Sequence, residues 1–174
     1  MPAAAVRFEG LVYRAHNPQW AWAPLSGEGA RRFGGRFNPP GTPALYTALT
    51  PLGAIREASP LGRPMQPLTL CAYAVETDAL FDATDPAARA AEGLRPADLD
   101  CPAWNREMLE GRVPASQALA LRLAAAGYAA LRVPSFAAGA MPAEDNIVFW
   151  AWGPGTPAQV TLIDEDGRLP TRPG

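Results

Sequence analysis

The segment from Leu25 to Tyr46, LSGEGARRFGGRFNPPGTPALY, constrains the fold more than any other part of this 174-residue sequence. Its composition is poor in core-forming residues and rich in glycine and arginine: Gly27, Gly29, Gly34, Gly35 and Gly41, with Arg31, Arg32 and Arg36. Glycines let a backbone come close to a ligand, and arginines bind phosphate oxygens with paired N–H groups. The segment therefore indicates either a site for a phosphate-bearing small molecule or a long surface loop with solvated arginines.

Length and composition predict one globular domain with a proper core, since 48% of the residues are hydrophobic. No apolar run approaches the roughly 18 residues that span a bilayer. The N-terminal sequence MPAAAVRFEG does not resemble a signal peptide. Cys71 and Cys101 lie far apart and suggest no disulfide framework. We therefore expect a cytoplasmic protein with no membrane association.

The basic residues exclude several kinds of chemistry, because all of them are arginines. Without lysine the chain cannot form a Schiff base or a Walker-type phosphate loop. The net charge of −2 argues against direct nucleic-acid binding. The single histidine, His16, and two separated cysteines argue against a zinc site, so no metal is expected. A triad based on His16 would lack the G-x-S-x-G motif, which leaves arginine, tyrosine, serine and carboxylate chemistry.

The hydrophobic pattern predicts an α+β fold. Strands are predicted over 11–15, 44–47, 68–75, 128–133, 147–152 and 160–163, and helices over 51–59, 86–92, 103–109 and 114–126. The strand 147–152 is apolar on both faces and is therefore expected to be central. The last helix should bury Ala115, Leu119 and Leu123 and end at Gly127. Residues 1–163 are expected to form the single domain and residues 164–174 a flexible tail. A doubly wound nucleotide fold is disfavoured, because no G-x-G-x-x-G follows a strand.

Arg14, Arg36 and Tyr46 are candidates for binding a phosphate-bearing ligand. Arg14 lies in the first predicted strand, where an arginine either points to solvent or meets an anion in a cleft, because burying it unpaired is costly. Arg36 follows a pair of glycines at which the backbone can fold sharply. Tyr46 supplies a flat ring suited to stacking on a base, although a tyrosine of the core or its rim fits the same pattern.

Glu57, Ser135 and Asn146 are further polar candidates. Glu57 is predicted to lie on a helix face turned away from Leu52 and Ile55, as solvated glutamates commonly do. Ser135 follows a strand end, from which its hydroxyl can reach a cleft or stabilise a turn. Asn146 opens the apolar strand, where it can orient a ribose hydroxyl or cap the preceding turn.

Taken together, these residues resemble the RES-domain family, the toxin halves of bacterial toxin–antitoxin pairs whose antitoxin is an Xre-like DNA-binding protein. The resemblance extends from Leu11 to about Trp152 and includes a long, specific segment. The matching residues are Tyr13-Arg14, SGEGARRFGGRFNPPGTP from Ser26 to Pro43, Leu45-Tyr46-Thr47, Glu57, Arg132-Val133-Pro134-Ser135 and Asn146.

The resemblance implies a fold similar to ADP-ribosyltransferases, with a split β-sheet core and helices around an NAD cleft. It also implies destruction of NAD+ by hydrolysis or by phosphorolysis with inorganic phosphate, without a metal. Carried over by position, the catalytic residues are Glu57, Arg14 and Tyr46. The NAD-binding residues are Arg14, Arg36, Tyr46, Ser135 and Asn146. In this interpretation the two arginines clamp the pyrophosphate, Tyr46 stacks near nicotinamide, and Ser135 fixes a ribose or an incoming phosphate.

Two other functions remain open at this point. Some RES domains transfer ADP-ribose to a protein, so the chain could be a mono-ADP-ribosyltransferase toxin with a protein acceptor. A non-catalytic nucleotide sensor is a third hypothesis, although binding alone does not require Glu57 near an anionic ligand. A toxin of this kind is expected to form a tight complex with its Xre-like antitoxin, through which the complex would bind DNA.

Overall fold

Strands and helices alternate irregularly along the chain in the computed structural model, which describes residues 2–59 and 61–174. The strands are β1 (Val6–His16), β2 (Leu45–Ala48), β3 (Thr69–Asp82), β4 (Ala130–Pro134), β5 (Asp145–Phe149) and β6 (Ala158–Leu162). The α-helices are α1 (Glu28–Phe33), α2 (Pro51–Ala58), α3 (Pro86–Ala91), α4 (Pro96–Asp100), α5 (Trp104–Leu109) and α6 (Ala115–Ala125), and a 3-10 turn covers Pro18–Trp20. None of the helices in the described ranges is long and apolar enough to cross a membrane. The predicted α+β class is confirmed.

The six strands form one sheet in the order β1-β2-β5-β4-β3-β6, and β1 also pairs with β3. The pairings β1-β2-β5-β4-β3 therefore close into a ring, with β6 attached to β3. Strand β3 divides between partners, since its first part pairs with β1 and β6 and its end pairs with β4. The β3–β4 pair is parallel. Helices α3 to α6 supply the long crossover that a parallel pair requires.

Strand β5 lies between β2 and β4 and is buried on both faces, which confirms its predicted central position. Ile147 and Phe149 pack in one hydrophobic cluster with Leu45 and Tyr73. Val148, between them in sequence, packs in a second cluster formed around α6. Because successive side chains of a strand point to opposite faces, the two clusters lie on opposite sides of the sheet.

Helix α2 follows β2 almost immediately, and its start and end agree with the sequence prediction. The Thr50 side chain accepts a hydrogen bond from the Gly53 N–H at 3.0 Å, and Pro51 takes the first helical position. Gly53 and Ala54 form the buried face, whereas Leu52 is exposed. Small residues on the buried face let the helix lie close to the sheet.

Several predicted elements need correction. Strand β1 begins at Val6 and not at residue 11, and β5 covers Asp145–Phe149 and not 147–152. Strand β3 continues to Asp82 and does not end near Val75, because its alternating burial persists through the polar positions. Helices α1 and α4 were not predicted, and α1 lies inside the Gly/Arg segment that was expected to be a loop. In α6, Ala115 is exposed, and the polar residues Ser116 and Gln117 are buried instead. Gln117 is buried because its side-chain amide donates to the Gly35 carbonyl at 2.9 Å, so a tertiary contact overrides the apolar periodicity.

The last residues, 164–174, make specific contacts with the rest of the domain. The Asp164 carboxylate accepts hydrogen bonds from the backbone N–H groups of Arg168 and Leu169, at 2.7 and 3.1 Å. The Leu169 side chain packs against the cluster of Ile147 and Phe149. The mobility of this tail stays a prediction.

Candidate functional site

A cleft of about 500 Å³ brings together residues that are distant in the sequence. Five of the six predicted site residues line it: Arg14, Arg36, Tyr46, Glu57 and Asn146. The sixth, Ser135, reaches the same place by donating a hydrogen bond to Glu57. The sequence prediction of which residues share one site therefore agrees with the geometry, whereas their roles stay predictions.

The Glu57 carboxylate is held by two neutral donors near the C-terminal end of α2. Its Oε1 atom accepts from the Ser135 hydroxyl and from the Asn146 side-chain amide, each at 2.6 Å. Asn146 pairs with Ala48 of β2 and with Val133 of β4 in the sheet, which fixes its place beside the ends of both strands. The carboxylate thus has a defined orientation and remains accessible from the cleft.

Arg14 lies in the inner part of the cleft and binds the start of the Gly/Arg segment. Its Nη1 donates to the carbonyls of Pro24 and Ser26, at 3.1 and 3.2 Å. Burial lowers the pKa of Arg14, an effect opposed by the neighbouring Tyr73 hydroxyl. Both of these hydrogen bonds come from one of the three guanidinium nitrogens, and the side chain lines the cleft beside the Tyr73 hydroxyl.

Arg36 lines the cleft from the Gly/Arg segment itself. It donates to the backbone carbonyl of Asp100, and its guanidinium lies 5.0 Å from the centre of the Phe136 ring. Burial lowers the pKa of Arg36, while the nearby carboxylates of Asp100 and Glu57 oppose that shift. The Arg36 guanidinium is a cation, and its Nη1 lies 3.7 Å from Oδ1 of the Asp100 carboxylate.

The Tyr46 hydroxyl holds the Gly/Arg segment in place. It donates to Asn38 Oδ1 at 2.6 Å and accepts from the Phe37 N–H at 3.0 Å. The fully buried Asn38 uses its amide nitrogen to bind the carbonyls of Ala30 and Thr42, both at 2.8 Å. Burial raises the pKa of Tyr46, so the phenol stays protonated. The Tyr46 ring lines the cleft, whereas its hydroxyl makes hydrogen bonds to Asn38 and Phe37 of the Gly/Arg segment.

Tyr46→Phe separates the contribution of the hydroxyl to stability from that of the ring to the cleft. We expect the free energy of unfolding to fall by about 1–3 kcal/mol, because the Asn38 oxygen and the Phe37 N–H lose their partner in a buried place. The retained ring should preserve ligand binding at temperatures where the variant is folded. Chemical denaturation followed by tryptophan fluorescence measures the first effect. A variant as stable as the parent would contradict this role for the hydroxyl.

Trp104 and Phe136 also line the cleft, and neither was predicted. Trp104 begins α5, in the part of the sequence with the weakest structural signal. Phe136 follows Ser135 and contacts the Arg36 guanidinium as well as lining the cleft. A motif search by residue type gives no reason to select either aromatic side chain.

His16 does not form a triad among the described residues. Both of its ring nitrogens are buried there without a hydrogen-bond partner, so no carboxylate orients the ring. Burial, reinforced by the charge of Arg14, lowers the pKa of His16 and keeps it neutral. The described part of the chain also has no group of three or more His, Cys, Asp or Glu side chains placed to hold a metal ion.

Comparison with models of known protein families shows the family to which the chain belongs. A model of the RES domain matches residues 11–172, which is nearly the whole sequence. The chain is a RES domain. The family resemblance inferred from the Gly/Arg segment is thereby confirmed, and the mixed α+β sheet is consistent with an ADP-ribosyltransferase-like fold.

Curated relatives of this RES domain carry the name NAD(+) phosphorylase MbcT. They come from Mycobacterium bovis and from two strains of Mycobacterium tuberculosis. Each is 38% identical over 91 residues, a match that covers 47% of this chain and 49% of the relative. The matched region thus spans about half the length of the curated relatives.

Proposed function

We propose that this RES domain cleaves NAD+ at the bond between nicotinamide and ribose and acts as the toxin of a toxin–antitoxin pair. The observation that carries the proposal is the Glu57 carboxylate, fixed by Ser135 and Asn146 in the cleft that Arg14 and Arg36 also line. This is an arrangement of one oriented anion and two cations. It suits a dinucleotide whose sugar becomes positive while its pyrophosphate stays negative. The name of the relatives, NAD(+) phosphorylase, supports the same substrate.

The bond cleavage requires little proton transfer. Nicotinamide in NAD+ is cationic, so it leaves as a neutral molecule with the electrons of the C–N bond and needs no general acid. The positive charge passes to the ribose, in an oxocarbenium-like transition state. Glu57 stabilises that charge and binds a ribose hydroxyl. A phosphate oxygen then forms the new bond to the same carbon, or a water oxygen forms it and the water releases one proton to the solvent.

The arginines bind the charged bridge of the substrate. Arg14 lines the cleft from β1 and Arg36 lines it from the Gly/Arg segment, so the two guanidinium groups can bind pyrophosphate oxygens together. The rings of Tyr46, Phe136 and Trp104 offer flat apolar surface for nicotinamide. Ser135 fixes a ribose hydroxyl or the incoming phosphate in addition to orienting Glu57.

The molecule that accepts ADP-ribose is inorganic phosphate in this proposal, because the relatives are named NAD(+) phosphorylase. Purified protein is mixed with NAD+, with and without phosphate, and the products are identified by mass. We expect free nicotinamide in both reactions, ADP-ribose without phosphate, and ADP-ribose carrying one phosphate on its C1 when phosphate is present. Unchanged NAD+ would contradict the cleavage proposal and favour a nucleotide sensor. Label from NAD+ appearing on a protein in lysate would favour ADP-ribosyl transfer.

We also propose that an Xre-like antitoxin binds this domain and blocks the cleft or its entrance in the cytoplasm. Expression of the domain alone should lower cellular NAD+, and co-expression with the neighbouring antitoxin gene should restore it. The purified complex should bind DNA, whereas the isolated domain should not, given its net charge of −2. A complex that releases nicotinamide as fast as the free domain would contradict occlusion of the cleft.

A further inference from the structure

The loop between β4 and β5, residues 135–144, is tied to α2 by a second contact next to Glu57. Arg56, the residue before Glu57, donates from Nε to Oε2 and from Nη2 to Oε1 of Glu144, both at 3.1 Å. The two side chains are largely shielded, with 23% of Arg56 and 10% of Glu144 exposed. An ion pair of this kind, bidentate and screened from water, is more strongly oriented than ordinary surface pairs.

Glu144 in turn organises the loop to which it belongs. Its carbonyl accepts from the Ser135 N–H at 2.8 Å, which closes the base of the loop beside the Ser135 side chain. Its Oε2 also accepts from the Met141 N–H at 3.1 Å. Hydrogen bonds from Arg56 and Met141 hold the pKa of the Glu144 carboxyl below its ordinary value, so the pair is charged at neutral pH.

We propose that Arg56 and Glu144 are positioning residues: their ion pair fixes the β4–β5 loop on α2 and so holds Ser135 against the Glu57 carboxylate. Two neighbouring residues of α2 thus bind the loop, one as a hydrogen-bond donor and the other as an acceptor. Arg56 donates to Glu144, and Glu57 accepts from Ser135. Without the pair, Glu57 would keep the Asn146 contact from β5 but lose the partner that depends on the loop.

The inference rests on the proposed function, and Arg56→Met tests it in the purified full chain. We expect kcat for nicotinamide release to fall by about 10- to 100-fold, because a displacement of about 1 Å in a site can cost that much. The KM for NAD+ should change little, since Arg56 does not line the cleft. Glu144→Gln is a milder second variant that loses the charge and keeps the size. Arg56→Lys, which keeps the charge without the planar fork, should recover part of the loss.

Two readouts distinguish positioning from general destabilisation. In an Ser135→Ala background, Arg56→Met should lower kcat much less than in the parent, since the contact that it supports is already absent. Hydrogen exchange of residues 135–146, measured by mass spectrometry without substrate, should become faster in Arg56→Met. Full additivity of the two substitutions, or unchanged exchange in the loop, would overturn the inference.

Arg132→Met serves as the matched control. Arg132 donates to Asp145 from Nε and Nη2, at 3.0 and 2.7 Å, and is also partly shielded. Its Nη1 lies 3.7 Å from Asp82 Oδ2, so it joins β4 to β5 and β3 but not to α2. This variant should lose stability and retain kcat when folded. If the parent is active and Arg56→Met has a kcat as high as that of Arg132→Met, the inference is wrong. The proposed function would be unaffected by that result. A parent that releases no nicotinamide would overturn the proposed function and the inference with it.

Discussion

Replacing Glu57 with glutamine is expected to slow nicotinamide release from NAD+ by about 10²–10³-fold without unfolding the protein. The amide keeps the size of the side chain and an oxygen that can accept from Ser135 and Asn146, so the site should retain its shape. What it loses is the negative charge that opposes the positive ribose in the transition state. Single-turnover rates measured by chromatography of nicotinamide, together with thermal unfolding, test both parts of this expectation.

Glu165→Gln is a suitable control, because Glu165 is exposed near the C-terminus and lies outside the cleft. It removes the same charge from the chain without touching the site. The control should retain the parental rate. If Glu57→Gln cleaved NAD+ as fast as Glu165→Gln, the role assigned to this carboxylate would be wrong.

The second large effect is expected for Gly35→Ala. A Cβ atom at this position would lie 2.5 Å from Tyr46 Oη and 2.8 Å from Asn38 Oδ1, inside the hydrogen bond between those two atoms. Asn38 is fully buried and Tyr46 is half-buried, so neither can move away freely. Overpacking together with loss of this bond should lower the free energy of unfolding by about 2–4 kcal/mol. Because Arg36 is the next residue, affinity for NAD+ should fall as well.

Gly29→Ala provides the contrast within the same segment. Gly29 lies in α1, and a Cβ atom there would meet nothing within 4 Å. Alanine also favours a helix over glycine, by about 0.5–1 kcal/mol. We therefore expect this variant to be at least as stable as the parent in chemical denaturation. Equal losses from the two substitutions would show that the segment tolerates no change of glycine, and that the Tyr46–Asn38 contact is not the cause.

Much of the candidate site could be predicted from the sequence because its residues lie in strong local signals. The Thr50-Pro51 start fixed the helix that carries Glu57, and the apolar run after Asn146 identified a central strand. The order of the family residues then placed six side chains in one site, and five of them line the cleft. Local capping and burial patterns were sufficient for these elements.

The contacts that hold the site residues in place could not be predicted, because they join residues that are far apart in the chain. Nothing near Gln117 in the sequence indicates that its amide binds the Gly35 carbonyl, and the prediction therefore assigned an apolar face to α6. Arg56 and Glu144 look like ordinary charged surface residues until the sheet brings them together. Helix α4 was missed because a short helix that begins at a proline in a polar stretch has little periodicity.

The partners of Glu57 follow it by 78 and 89 positions in the chain. A polypeptide still emerging from the ribosome therefore lacks an oriented carboxylate until Asn146 has been synthesised and the sheet has closed around it. Contacts between such distant residues also form late, because long intervening segments must first be ordered. If the domain consumes NAD+ as proposed, nascent and fragmentary chains are harmless to the cell that makes them. If an antitoxin binds the domain as proposed, it has the time of translation and folding in which to do so.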